Sequence, residues 1–176
     1  MIITLIRHTS VAVSPGICYG NSDVDVSPSF EKEAKQVLSK LQHIPFDAVY
    51  SSPLSRCRKQ ACYCGFTEPI IDTRLLELNF GDWEMKAWSE IEDPQLQHWF
   101  ENWLDESPTN GESFTTMIHR VEEFLFELKK LPFKHVAIFT HAGVIRSVGI
   151  ITKRFNALKS FDFKVAYGES IDFILQ

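Results

Sequence analysis

Ile2-Ile3-Thr4-Leu5-Ile6-Arg7-His8 is the stretch that decides the fold. Five nearly continuous apolar, β-branched residues are what a strand covered on both faces requires, and they stop abruptly at an arginine and a histidine. His135 to Phe139 repeats the pattern and ends at Thr140-His141-Ala142-Gly143. Asp47-Ala48-Val49-Tyr50 is a shorter version that gives way to Ser51-Ser52-Pro53, and Ile70-Ile71 reads as an edge strand. Amphipathic stretches lie between them. Phe30, Ala34, Val37, Leu38 and Leu41 recur at helical spacing, as do Phe114, Met117, Val121, Phe124, Leu125 and Leu128, and Val144 to Ile151 follows the last Gly.

This alternation predicts an α/β fold, a three-layer sandwich with a mostly parallel sheet flanked by helices. Ser27-Pro28 and Ser52-Pro53 read as the cap and first residue of two helices, and Ser113 as the start of a third that ends near Lys129-Lys130 before Pro132. Phe161 to Ala166 and Ser170 to Leu175 read as two closing strands. No repeat or linker interrupts residues 1–176, so one domain is expected, with a small Trp-rich helical lid insertion at about 84–112.

A chain of 176 residues can bury about 70% of the surface that its unfolded form exposes. At 44% hydrophobic and 23% charged residues it needs no staples to fold. A net charge of -5 argues against nucleic acid or an anionic membrane as the main partner. The first residues lack a basic, cleavable leader and no apolar run is long enough to span a bilayer, which predicts a cytoplasmic location. Cys18, Cys57, Cys62 and Cys64 form no CxxC pair and are read as reduced thiols. Oligomeric state has no signature in these patterns.

In open α/β sheets, ligands bind beyond the carboxyl ends of the strands. That rule gathers Arg7, His8, Arg56 and His141 at one sheet edge, a knot of positive charge in an acidic chain. Paired guanidinium hydrogen bonds select a phosphoryl group, and the helix starts after Ser52 and at Ala142 would add N–H donors. A neutral histidine at the bottom of such a pocket is a nucleophile when a carbonyl holds its other ring nitrogen. Glu77, beside Leu75, Leu76 and Phe80, is the candidate proton donor to the leaving oxygen. Taken singly, each residue has a plainer reading: a surface or capping histidine, an arginine paired with a surface acid, a solvated loop carboxylate. Their joint placement is what lifts them above it.

Leu5-Ile6-Arg7-His8, Ser51-Ser52-Pro53-Leu54-Ser55-Arg56, Leu76-Glu77 and Thr140-His141-Ala142-Gly143 resemble, in order and over essentially the whole chain, the motifs of the histidine phosphatase superfamily, the phosphoglycerate mutase-like fold. The resemblance implies that His8 is phosphorylated, that Arg7, Arg56 and His141 bind the phosphoryl group, and that Glu77 donates the proton, with no metal or other cofactor. The substrate implied is a small phosphomonoester. Cys18 to Val24, Phe80 to Glu84 and Pro108 to Phe114 are similar to the substrate loop, post-acid turn and lid start of α-ribazole phosphatases. On that footing Ser14, Tyr19, Gly20, Asn21 and Ala142 are expected to contact substrate. Thr9-Ser10 replaces the family's usual Gly-Glu, and Ser14 stands where many relatives carry a phosphate-binding Asn. Leu78-Asn79 follows Glu77 where mutases carry a basic residue, which favours hydrolysis over mutase chemistry. A general phosphomonoesterase, an inactive phospho-ligand binding module and a metallohydrolase are the competing readings.

Overall fold

The computed structural model describes residues 1–176. Five strands form one sheet in the order β3-β2-β4-β1-β5: β1 is Ile2–Arg7, β2 Ala48–Ser51, β3 Ile70–Ile71, β4 His135–Thr140 and β5 Ser170–Ile174. All neighbours are parallel except β1 and β5. The two most apolar runs, β1 and β4, sit together inside the sheet in the register Ile2 to His135 through Arg7 to Thr140. Arg7 and Thr140 therefore leave the sheet side by side, and His8 and His141 follow them.

Strand alternation divides the core in two. Ile3 and Leu5 of β1, Val136 and Ile138 of β4, and Ile171 and Phe173 of β5 pack with the helices α4 (Phe114–Leu128) and α5 (Ala142–Ile151). The intervening Ile6, Ala137 and Phe139 meet α1 (Phe30–Leu41) and α2 (Ser55–Tyr63) on the other face. This is the expected sandwich, a mixed but mostly parallel sheet between two helical layers. A third, smaller cluster of Cys18, Trp83, Ile91 and Trp99, with Phe80, Trp88 and Trp103 against it, underlies the stretch predicted as a helical insertion. That stretch contains a 3-10 turn at Trp88–Glu90 and the short helix α3 (Gln95–Glu101).

Two local expectations are corrected. Phe161 to Ala166 is not a strand. Its Val165 carbonyl accepts from Arg7 Nη1 at 2.5 Å, and Phe161 turns to meet Trp103 and Phe114, so the run crosses the sheet end as a loop instead of extending it. The helices α1 and α2 also start later than the Ser-Pro pairs suggest, at caps Ser29 and Leu54. Near α1 the hydroxyls of Ser10, Ser27 and Ser29 bond each other and Glu33. Near α2 the Ser52 hydroxyl is engaged by His141, and the Ser55 N–H is taken by Asp23 Oδ1 at 2.7 Å.

Phe139 is fully buried against Phe66 on the α1–α2 face. Replacing it with alanine removes a ring from a close-packed layer, and Phe139→Ala should lower the unfolding free energy by about 3–5 kcal/mol in urea titrations. A loss under about 1 kcal/mol would place the core elsewhere.

Candidate active site

The carboxyl ends of β1 and β4 bring two imidazoles together, His8 and His141, with ring centroids 5.1 Å apart. His8 is 2% exposed and His141 fully buried. The Nδ1 of His8 lies 2.7 Å from the Thr9 carbonyl oxygen. A carbonyl only accepts, so Nδ1 carries the proton and a neutral His8 keeps its lone pair on Nε2. The substitution of Thr for the family's Gly at position 9 leaves this backbone contact intact. His141 places Nε2 2.8 Å from the Ser52 hydroxyl.

Two guanidiniums flank the pair. Arg56, fully buried on the first turn of α2, donates to the carbonyls of Ser22 at 2.7 Å and Gly20 at 2.8 Å. Arg7 spends one N–H on the Val165 carbonyl. Neither forms an ion pair, and the Nε of each is buried without a partner. The plainer reading of both as surface ion-pair partners is thereby removed. Burial, followed by the Arg56 charge, holds both imidazoles well below their ordinary value of 6.5. Both are neutral at neutral pH.

Glu77 is fixed by backbone donors: Leu78 N–H at 3.0 Å and Gly143 N–H, at the second position of α5, at 3.2 Å. The irregular segment that carries it, after the 3-10 turn Thr73–Leu75, is tied down by side chains. Arg120 of α4, ion-paired with Glu112 at 2.6 Å, donates to the carbonyls of Arg74 and Glu77, and Thr140 Oγ1 donates to that of Leu75. Glu77 also borders a cavity of about 190 Å3 walled by Tyr19, Phe80, Trp88, Phe114 and Phe161, with Gly20, Gly143 and Arg146.

Among the expected substrate contacts, Tyr19 and Gly20 line this cavity, and Tyr19 lies 5.4 Å from the Arg56 guanidinium. Ala142 opens α5 beside the histidines, and its N–H is one of the helix's unpaired first donors. At the start of α2 the Ser55 N–H is taken by Asp23 and the Leu54 N–H by the Ser52 hydroxyl, while the Arg56 N–H has no protein acceptor. Asn21 gives its backbone N–H to Glu84. Ser14 is exposed, its carbonyl closing a turn on Ile17, and its hydroxyl bonds nothing.

Sequence reasoning missed Ser52 as the partner of His141, and it missed Tyr167. The Tyr167 ring stacks 3.9 Å from the Arg7 guanidinium carbon and 5.6 Å from the His8 ring, and its hydroxyl lies 2.9 Å from that of Tyr19. Only the chain path reveals it, through the Gly168 N–H bonded to the His8 carbonyl. No cluster of three His, Cys, Asp or Glu side chains is arranged to hold a metal ion, and no helix is long and apolar enough to cross a membrane.

The family model of the histidine phosphatase superfamily, branch 1, matches residues 3–168. The chain belongs to that superfamily. This histidine phosphatase is 30% identical over 153 residues to the adenosylcobalamin/alpha-ribazole phosphatase of Salmonella typhimurium, covering 82% of this chain and 76% of the relative. It is 28% identical over 155 residues to phosphoserine phosphatase 1 of Hydrogenobacter thermophilus, covering 83% and 73%. The crystal structure of the alpha-ribazole phosphatase from Shigella flexneri superposes with a TM-score of 0.86 at 26% identity, over 98% of this chain and 89% of that one. Phosphatase chemistry on a small phosphate substrate is the activity these relationships support.

The depressed imidazoles also make a stability statement. Between the lowered folded value and 6.5 the unfolded chain binds more protons than the folded one, so stability rises with pH across that window and levels off above it. Denaturant midpoints measured from pH 5 to pH 7.5 should climb and then flatten, and His141→Asn should reduce the climb. An unchanged slope in the variant would mean that His141 is not held neutral.

Proposed function

We propose that this histidine phosphatase hydrolyses a phosphomonoester through a phosphohistidine on His8 Nε2, and that its substrate is α-ribazole 5'-phosphate. One observation carries the chemical part: a neutral imidazole with Nδ1–H on a carbonyl, set between two guanidiniums that have no acidic partner. The dianionic phosphoryl group is held by Arg7, Arg56, His141 and the Ala142 N–H, with Tyr19, Gly20 and Asn21 on the substrate loop beside it. The His8 lone pair attacks phosphorus, the ester P–O bond breaks, and Glu77 delivers a proton to the departing oxygen. Water then attacks the phosphoramidate, with Glu77 taking its proton, and inorganic phosphate leaves as the P–N bond breaks. The relatives named alpha-ribazole phosphatases support the choice of alcohol, as does the aromatic wall of the cavity next to Glu77. The second reading, a phosphatase of broad acceptance, is favoured by the likeness to a phosphoserine phosphatase.

Brief incubation with labelled substrate should leave an acid-labile, base-stable label on the chain, and His8→Ala should abolish both label and turnover. Turnover that survives in His8→Ala would refute the intermediate. A panel of α-ribazole 5'-phosphate, phenyl phosphate, O-phosphoserine and phosphoglycerates separates the substrate readings, and equal kcat/KM on all four favours the broad enzyme.

The proton-donor role has its own signature. Glu77→Gln should slow alkyl phosphates by about a hundredfold or more while sparing activated aryl esters, whose leaving oxygen needs no proton. A Cβ at residue 143 would meet Glu77 Oε1 at 2.1 Å, so Gly143→Ala should reproduce that leaving-group dependence by displacing the carboxylate. Equal losses on alkyl and aryl esters in both variants would assign Glu77 another task.

A further inference from the structure

Arg146 stands on α5 one turn beyond the residues that frame the histidines, on the same helix face as Gly143. It borders the aromatic cavity with Glu77. The other arginines around the site each spend terminal N–H groups on protein acceptors, Arg7 on Val165, Arg56 on Gly20 and Ser22, and Arg120 on Glu112 and two carbonyls, although Arg7 and Arg56 also leave Nε unpaired. Arg146 makes no ion pair, and its Nε is buried without a hydrogen-bond partner. Its guanidinium carbon lies 5.0 Å above the Phe161 ring, a contact that orients the charge without using its N–H groups. Glu77, the acid facing it, has its two oxygens on backbone donors. Burial weakens the hold of Arg146 on its proton, with Glu77 opposing that effect and Arg7 adding to it.

A cation bordering a largely apolar cavity, with its Nε–H buried and unmade, is stabilised when an occupant of that cavity accepts from its guanidinium. The cavity adjoins the proton donor, which must touch the leaving oxygen, so its occupant is the alcohol portion of the substrate. Five aromatic rings line it, from Tyr19, Phe80, Trp88, Phe114 and Phe161. We infer that Arg146 is the specificity-determining residue for the leaving group, donating to a ring nitrogen or hydroxyl oxygen on an alcohol whose flat, apolar body lies against these rings. This rests on the phosphatase reading above and adds the residue that selects the alcohol.

The test compares Arg146→Met and Arg146→Lys with the parent enzyme on two ring-bearing esters: α-ribazole 5'-phosphate, which has acceptors on its alcohol, and phenyl phosphate, which has none. Losing a charge-assisted hydrogen bond should cost Arg146→Met about tenfold to a hundredfold in kcat/KM on the ribazole ester, through KM. On phenyl phosphate the loss should stay below about threefold, and Arg146→Lys should recover part of the ribazole loss. Equal losses on both esters, or a loss confined to kcat, overturn the inference, as does a parent enzyme that prefers O-phosphoserine to every ring-bearing ester. If the parent ignores α-ribazole 5'-phosphate but turns over another ring-bearing nucleoside or alcohol phosphate, the substrate named above fails. The same split, read on that ester against phenyl phosphate, then decides the role of Arg146.

Discussion

A fully buried guanidinium with no carboxylate to neutralise it is the constraint around which the site is arranged. Arg56 occupies the first turn of α2, where the aligned peptide dipoles already present positive charge, and its head is desolvated. Two carbonyl oxygens are its only acceptors, and its Nε has none. Such a group is expensive, and the sheet core must offset the expense. Burial, reinforced by the field of Arg56, keeps both histidines neutral, and the proposed phosphoryl dianion would bring the charge that the protein does not supply.

The same arginine organises the loop that joins the proposed phosphoryl cradle to the aromatic cavity. Arg56 collects the carbonyls of Gly20 and Ser22, while Glu84 collects the N–H groups of Asn21, Ser22 and Phe80 and the Ser22 hydroxyl. The loop is stitched through its acceptors on one side and its donors on the other. Residue 20 has to be glycine: its φ is +24° and a Cβ would meet Glu84 Oε1 at 2.3 Å. A change in Arg56 or Glu84 is therefore felt at Tyr19 and Cys18, in the cavity wall, as well as beside the two histidines.

Much of this was legible in the chain because it follows from short-range pattern. The continuous apolar runs of β1 and β4 mark buried parallel strands, and residues just past their carboxyl ends are bound to meet. What escaped depends on partners distant in sequence. Phe161 to Ala166 carries the apolar content of a strand, yet Phe161 faces the cavity and Trp103 while Phe163 packs on Phe155, and composition alone does not separate these cases. Ser52 looks like a helix cap until His141 is seen to claim its hydroxyl. Tyr167 carries no local signal, whereas Arg146 had one, since three residues beyond Gly143 on a helix is the same face.

The site departs from the rules that stabilise the rest of the molecule, with cations lacking acids, their Nε–H groups unmade and imidazoles held neutral, and these departures are adjacent. Elsewhere the charged side chains behave conventionally: Arg74 bridges Asp72 and Glu127, Arg120 grips Glu112, and Lys59 meets Asp25. Uncompensated groups scattered through a fold would signal poor packing. Concentrated where three strands end, around the unprotonated nitrogen of His8 and one aromatic cavity, they fit the ligand proposed above: anionic at one end, flat and hydrogen-bond accepting at the other.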